Sequence, residues 1–191
     1  MTHWIRTTLA LATLGLGACA TTPGGGGATQ PAALPAEYAA ALDFLREERW
    51  EAAEVALNNY ARKNPRRAGP QVNLALLYFE TDRRDLAHAA IDKALAINPK
   101  QAAALDLRGI LQREAGEFDA AAQSYRQAIS ADKRYPNAHL NLAILLDLYL
   151  HEPRRAVRHY RDYADLVGEE NLDRTVESWI AEATRRAESG R

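Results

Sequence analysis

The strongest constraint on this chain is a period. Ala53, Ala87 and Ala121 are spaced by 34 residues, as are Pro65 and Pro99; the next equivalent alanine, Ala156, comes 35 residues on. A fixed repeat near this length is one supersecondary unit copied along the chain. Such a unit cannot bury its apolar face alone, so the copies stack. The clearest copy is Leu86 to Pro99, LAHAAIDKALAINP, and its partner is Glu117 to Ile129, EFDAAAQSYRQAI. Nearly half of the 191 residues are hydrophobic, with few aromatics. Most are alanine and leucine, which suits helices packed closely through small side chains.

Counting each repeat so that its final proline is position 32 gives units at 34–67, 68–101, 102–135 and 136–168. In the first, helix A covers Ala36 to Glu47 and helix B covers Trp50 to Lys63. Small residues fall where two helices must cross: Ala41 and Ala53, then Ala75, Ala87 and Ala94, then Gly109, Ala121 and Ala128. Larger residues fall where they interlock: Leu57, Ile91, Tyr125 and Tyr160. Leu74 and Tyr78 complete the second unit, while Arg108, Gln112 and Lys133 depart from the pattern in the third. The fourth begins at Pro136, and Asn141-Leu142-Ala143 echoes Asn73-Leu74-Ala75. A one-residue insertion near Leu148 to Leu150 lengthens its first helix or the turn after it. Gly168 then breaks the chain. Asn171 to Arg186 reads as a last amphipathic helix, with Leu172, Val176, Trp179, Ile180 and Ala183 near one face.

As a set, these residues resemble the tetratricopeptide repeat (TPR), over roughly residues 36–167. The resemblance implies an all-α, right-handed solenoid of about four helix-turn-helix repeats. A C-terminal capping helix within 169–191 would bring the total to about nine helices.

The N-terminus carries a different signal. His3 and Arg6 make a weakly basic start, and Thr7 to Leu16 is an apolar run too short to span a bilayer permanently. Leu16-Gly17-Ala18-Cys19 then looks like a bacterial lipobox, and Cys19 is the chain's only cysteine. A lone cysteine forms no intramolecular disulfide and supplies too little for a structural zinc site. Resemblance to lipoproteins implies a signal peptide at 1–18, cleavage before Cys19 and acylation of that residue. Several acyl chains give stable membrane anchoring where one would be marginal. Ala20 rather than aspartate follows the cysteine. In a Gram-negative bacterium the resemblance then implies the outer membrane, with the soluble part facing the periplasm. Residues 19–35 form an uncharged tether in which Gly24 to Gly27 favour flexibility and Pro23, Pro31 and Pro35 block helix.

Enzyme chemistry finds no constellation in this sequence, and the expectation is a non-enzyme without cofactor or metal. His88, His139, His151 and His159 form no HExxH-type pair. His139 and His151 fall at opposite ends of one helix, and Pro153 separates His151 from His159. The serines lack a Gly-x-Ser-x-Gly context. With 24 basic and 25 acidic residues and no long run of one sign, nucleic acid is not an expected partner.

What remains is a groove. In TPR proteins positions 5, 9 and 12 of helix A tend to line the concave side. Here these positions supply Tyr38, Val72, Asp106 and Leu140; Leu42, Leu76, Ile110 and Ile144; and Phe79 and Arg113, with Leu45 and Asp147. The groove should be apolar along much of its length, with a polar patch in the third and fourth repeats. Asn73 and Asn141 occupy position 6, where an asparagine amide can hold an extended peptide backbone, though asparagine is also simply the repeat's consensus there. The lysines and asparagines that clamp a C-terminal carboxylate in some cytosolic TPR domains are absent.

The expectation is a membrane-anchored periplasmic scaffold that binds a protein or peptide through its groove in envelope machinery assembly. Similar TPR lipoproteins serve pilus and secretin assembly, recruit peptidoglycan hydrolases or accompany TonB-type systems. Pilus-assembly members usually carry more than four repeats. The alternative is a self-associating structural lipoprotein whose groove is covered by a second copy.

Overall fold

The computed structural model describes residues 34–189. The expected signal peptide, Cys19 and the expected tether up to residue 33 lie outside the described residues.

Nine α-helices follow one another among the described residues: α1 (Ala36–Arg46), α2 (Trp50–Lys63), α3 (Gly69–Glu80), α4 (Arg84–Ile97), α5 (Ala102–Glu114), α6 (Phe118–Ala131), α7 (Pro136–Ile144), α8 (Pro153–Val167) and α9 (Arg174–Ser189). Each odd helix pairs with the next even one as a hairpin, and each hairpin stacks on its neighbour, through α2 with α3, α4 with α5 and α6 with α7. The first-helix layer is also in contact along its length, α3 with α5 and α5 with α7. The proline at the start of α7 and α8 fits where the first amide has no intrahelical partner. Asn64 and Asn98 close α2 and α4 just before Pro65 and Pro99, which cannot continue a helix.

Burial explains the period. Ala41, Ala53, Ala87, Ala94, Ala121, Ala128, Ala143 and Ala156 are all fully buried at 0% exposure. Any larger residue there would push two helix backbones apart. Leu57, Ile91, Tyr125 and Tyr160 fill the core beside these crossings at 0–1% exposure, Tyr125 lying against Gly109 of its own hairpin. The third repeat's departures from pattern are also explained. Arg108 Nε donates to Ser124 Oγ (3.1 Å) and Arg108 Nη2 to Gln127 (2.6 Å), while Ser124 Oγ donates to Gln112 Oε1 (2.6 Å). A polar lattice here joins α5 to α6 where the second repeat uses Leu74 and Tyr78.

The turn inside each hairpin has its own period. Glu48, Asp82, Gly116 and His151 all adopt the left-handed conformation, with φ of 54°, 60°, 79° and 54°. In the first three repeats an amide reaches back five residues: Arg49 to Phe44, Arg83 to Tyr78 and Glu117 to Gln112. In the fourth, Glu152 reaches back six, to Leu146. The inserted residue is therefore taken up inside the helix, as a π-helical turn over Leu145–Tyr149 that continues α7. Only Gly116 occupies this backbone region without a Cβ penalty. Glu48→Gly is expected to raise stability by about 0.5–1 kcal/mol, and Gly116→Ala to lower it by a similar amount. Urea melts of both variants check this; opposite signs would show that the turns do not limit stability.

After Gly168 (φ 81°) a short 3₁₀ turn, Glu169–Asn171, leads into α9, which starts three residues later than Asn171. Helix α9 packs on α8. Val176 and Ala183 are buried, and Leu172, Trp179 and Ile180 pack against the same core. Arg186 of α9 binds both oxygens of Asp147 through Nη2 at 2.7 Å. Asp147 is 5% exposed, so this pairing neutralises a buried carboxylate and fastens the cap.

Candidate partner-binding groove

The first-helix layer presents two different halves. Across the first two repeats Tyr38, Leu42, Asn73, Leu76 and Phe79 are half-buried, each resting on the core with one side open. Tyr38 stacks on Tyr60 with ring centroids 4.7 Å apart. Burial, then the neighbouring Tyr60, push the Tyr38 phenol up to about 12, so it stays protonated. Arg84 lays its guanidinium 4.3 Å over the Phe79 ring and pairs with Glu114 of α5 at 3.0 Å, forming one rim of the strip.

Across the third and fourth repeats the expected groove is largely closed. Asp106 and Ile110 are 3% exposed, Ile144 6% and Arg113 9%; Val72, in the second repeat, is 8% exposed. These five belong to the packed interior of the layer. The physical reason is the stacking: α5 is in contact with α3 on one side and α7 on the other. Leu140 and Asn141 stay half-buried.

The two asparagines do the same thing. Asn73 Nδ2 donates to Tyr38 Oη at 2.7 Å, and Asn141 Nδ2 donates to Asp106 at 3.0 and 3.2 Å. Each bond spans 35 residues, from position 6 of one repeat to position 5 of the repeat before. The amides thus tie successive first helices together, and part of their donor capacity is used within the chain. Asp106 pays for its position: burial pushes its carboxyl up to about 7, against the pull of the Asn141 amide and Arg113. Beside it, Arg113 Nη1 and Tyr125 Oη are buried without a hydrogen-bond partner.

Other ties were not legible in single motifs. Glu54 of α2 accepts from Tyr78 Oη (3.0 Å) and Arg83 Nη1 (2.8 Å), joining the first repeat to the second. The hairpin of α7 and α8 also brings together two histidines that sequence spacing did not pair. His139 and His159 lie with ring centroids 5.7 Å apart, and Asp162 approaches both.

Residues 68–101 match the tetratricopeptide repeat family, and residues 109–146 match a TPR repeat family. The fold is an all-α TPR repeat fold. Solved TPR-like structures superpose along most of it. PilF of Pseudomonas aeruginosa is 23% identical, with a TM-score of 0.69 over 81% of this chain and 68% of PilF. A thermophilic TPR protein of Thermus thermophilus is 21% identical, with a TM-score of 0.65 over 78% of this chain and 79% of its own. YrrB, a TPR protein with an unusual peptide-binding site, is 15% identical, with a TM-score of 0.56 over 76% of this chain and 73% of its own. At these identities the likeness is one of fold. Among the described residues no helix is long and apolar enough to cross a membrane.

Proposed function

We propose that this TPR solenoid is a scaffold that captures an apolar segment of a partner protein on the strip formed by Tyr38, Leu42, Leu76 and Phe79. The observation that carries the reading is the contrast within one layer: these side chains stay half-open while their counterparts Ile110 and Ile144 are buried. A strip of this kind favours a partner that supplies apolar side chains and leaves the Arg84 rim to polar contacts. In this reading Cys19 carries the lipid that holds the protein at the outer membrane, and residues 20–35 give the solenoid reach into the periplasm. Confinement near the membrane raises the effective concentration of partners there, which suits a role in assembling envelope machinery.

The test is a crosslinking pull-down from cells, comparing the native protein with Leu42→Glu/Leu76→Glu. Both positions are half-open, so the charges can reach water and the fold is retained. Ile110→Glu is unsuitable, because its carboxylate would be buried. A protein retained by the native chain and lost with the double variant is the expected result. Equal retention by both, or recovery of nothing but further copies of this chain, contradicts the reading; the latter favours self-association.

A further inference from the structure

We propose that His139, His159 and Asp162 form a binding site for a zinc-type transition-metal dication, which ties α7 to α8 in the last repeat. One donor atom from each residue lies within 4.8 Å of the other two. Asp162 Oδ2 is 3.3 Å from His139 Nδ1 and 3.8 Å from His159 Nδ1. Two donors held about 2.0–2.1 Å from a tetrahedral ion stand about 3.3–3.4 Å apart, so one edge of the site already has the required length. The other two edges, 3.8 Å from Asp162 to His159 and at most 4.8 Å between the histidine donors, close if the His159 side chain shifts inwards.

The alternative is that the histidines simply pair with the carboxylate. The geometry argues against it. His139 has 7% exposure, yet neither of its ring nitrogens has a hydrogen-bond partner, and His159 Nδ1 is likewise buried without one. Asp162 therefore sits close to Nδ1 of His139 but off the line a donated hydrogen would take. An ion on the Nδ1 axis places a second ligand off that line. Unpartnered buried imidazole nitrogens are costly, and one ion would take the Nδ1 of each ring, leaving only His139 Nε2 without a partner.

The charges facing the site select the ligand. Burial, with His139, Arg158 and Arg155 nearby, pushes His159 down to about 4 against the pull of Asp162. The ring is neutral at neutral pH and keeps a lone pair for a metal. A single carboxylate supplies too few oxygen ligands to hold hard ions such as Mg²⁺ or Ca²⁺ well. Two imidazoles favour an ion bound through directed nitrogen lone pairs. The side chain of Asp162 is 42% exposed, which gives the ion an entry path and leaves a coordination position for water.

The test titrates ZnCl₂, and MgCl₂ as control, into chelator-treated full-length protein, with calorimetry and thermal melting as readouts. Zinc should bind at one equivalent and raise Tm by roughly 5 °C or more at a hundredfold excess over Kd, with no response to magnesium. Asp162→Asn and His159→Gln should each weaken zinc binding at least about tenfold, whereas His88→Gln and His151→Gln should not. Absence of a zinc response in the native chain overturns the proposal, as does a response unchanged in Asp162→Asn. That variant alters a partly exposed residue, so it decides the matter even if His159→Gln fails to fold.

Discussion

Gly109→Leu is expected to unfold the third repeat and lower Tm by roughly 10 °C or more. A Cβ at Gly109 would stand 2.5 Å from Cε1 and 2.7 Å from Cδ1 of Tyr125. Tyr125 is 0% exposed, so its ring has nowhere to turn. Alanine alone would force α5 and α6 apart, at a cost of about 1–3 kcal/mol, and leucine adds three more carbons to the same crossing. The collision is with one ring, so it should be relieved by removing that ring. Gly109→Ala combined with Tyr125→Leu should lose less stability than the sum of the two single changes. Thermal melts followed by circular dichroism check both statements. An unchanged Tm for Gly109→Leu would mean that α5 and α6 do not cross at this residue.

Asp106→Asn is expected to stabilise the protein at pH 8, by an amount on the order of a few kcal/mol. With its carboxyl raised to about 7, the folded state holds between about pH 4 and pH 7 a proton that the unfolded chain has already released, and at pH 8 it must carry the buried charge. Stability from this group is present below the unfolded value near 4 and is lost as pH rises through about 7. The carboxamide keeps an acceptor for Asn141 and carries no charge, so the variant should lack this component of the pH dependence. The gain in Tm over the native protein should be small or absent at pH 4 and grow to roughly 5–10 °C by pH 8. A gain independent of pH, or a loss at pH 8, would show that Asp106 is held ionised by Arg113. Either result would mean that the Asn141 bond joins an ion rather than an acid.

The fold was readable because the crossing alanines leave a period of 34 residues that nothing else in the chain obscures. The limits of α2 follow from the sequence residue for residue, and α1 ends one residue early, at Arg46. The inserted residue was countable near Leu148, but its form was not. Whether an extra residue lengthens a turn or becomes a π turn depends on which amides find carbonyls, and that is decided by packing around Leu145–Tyr149.

The groove was readable as a register and not as a surface. Position 9 supplies Leu42, Leu76, Ile110 and Ile144 alike, yet the last two are buried. That difference arises between repeats, from how closely neighbouring first helices approach, and a period within one repeat does not contain it. The asparagines illustrate the same limit, because each finds its partner 35 residues away. Had position 5 been compared with the next position 6, Tyr38 with Asn73 and Asp106 with Asn141 would have stood out as polar pairs. Spacing along the chain separates the histidines. An antiparallel hairpin pairs the start of α7 with the interior of α8, and so His139 meets His159 instead of His151.

The most direct measurement is photo-crosslinking in cells from a single reactive residue, placed in turn at Leu76 on the half-open strip and at Val55, which is 62% exposed on α2. Capture on the strip predicts a discrete adduct with another protein from position 76 and none from position 55. Equal adducts from both positions, or an adduct from position 55 alone, would contradict capture on the strip and move the binding surface to the second helices.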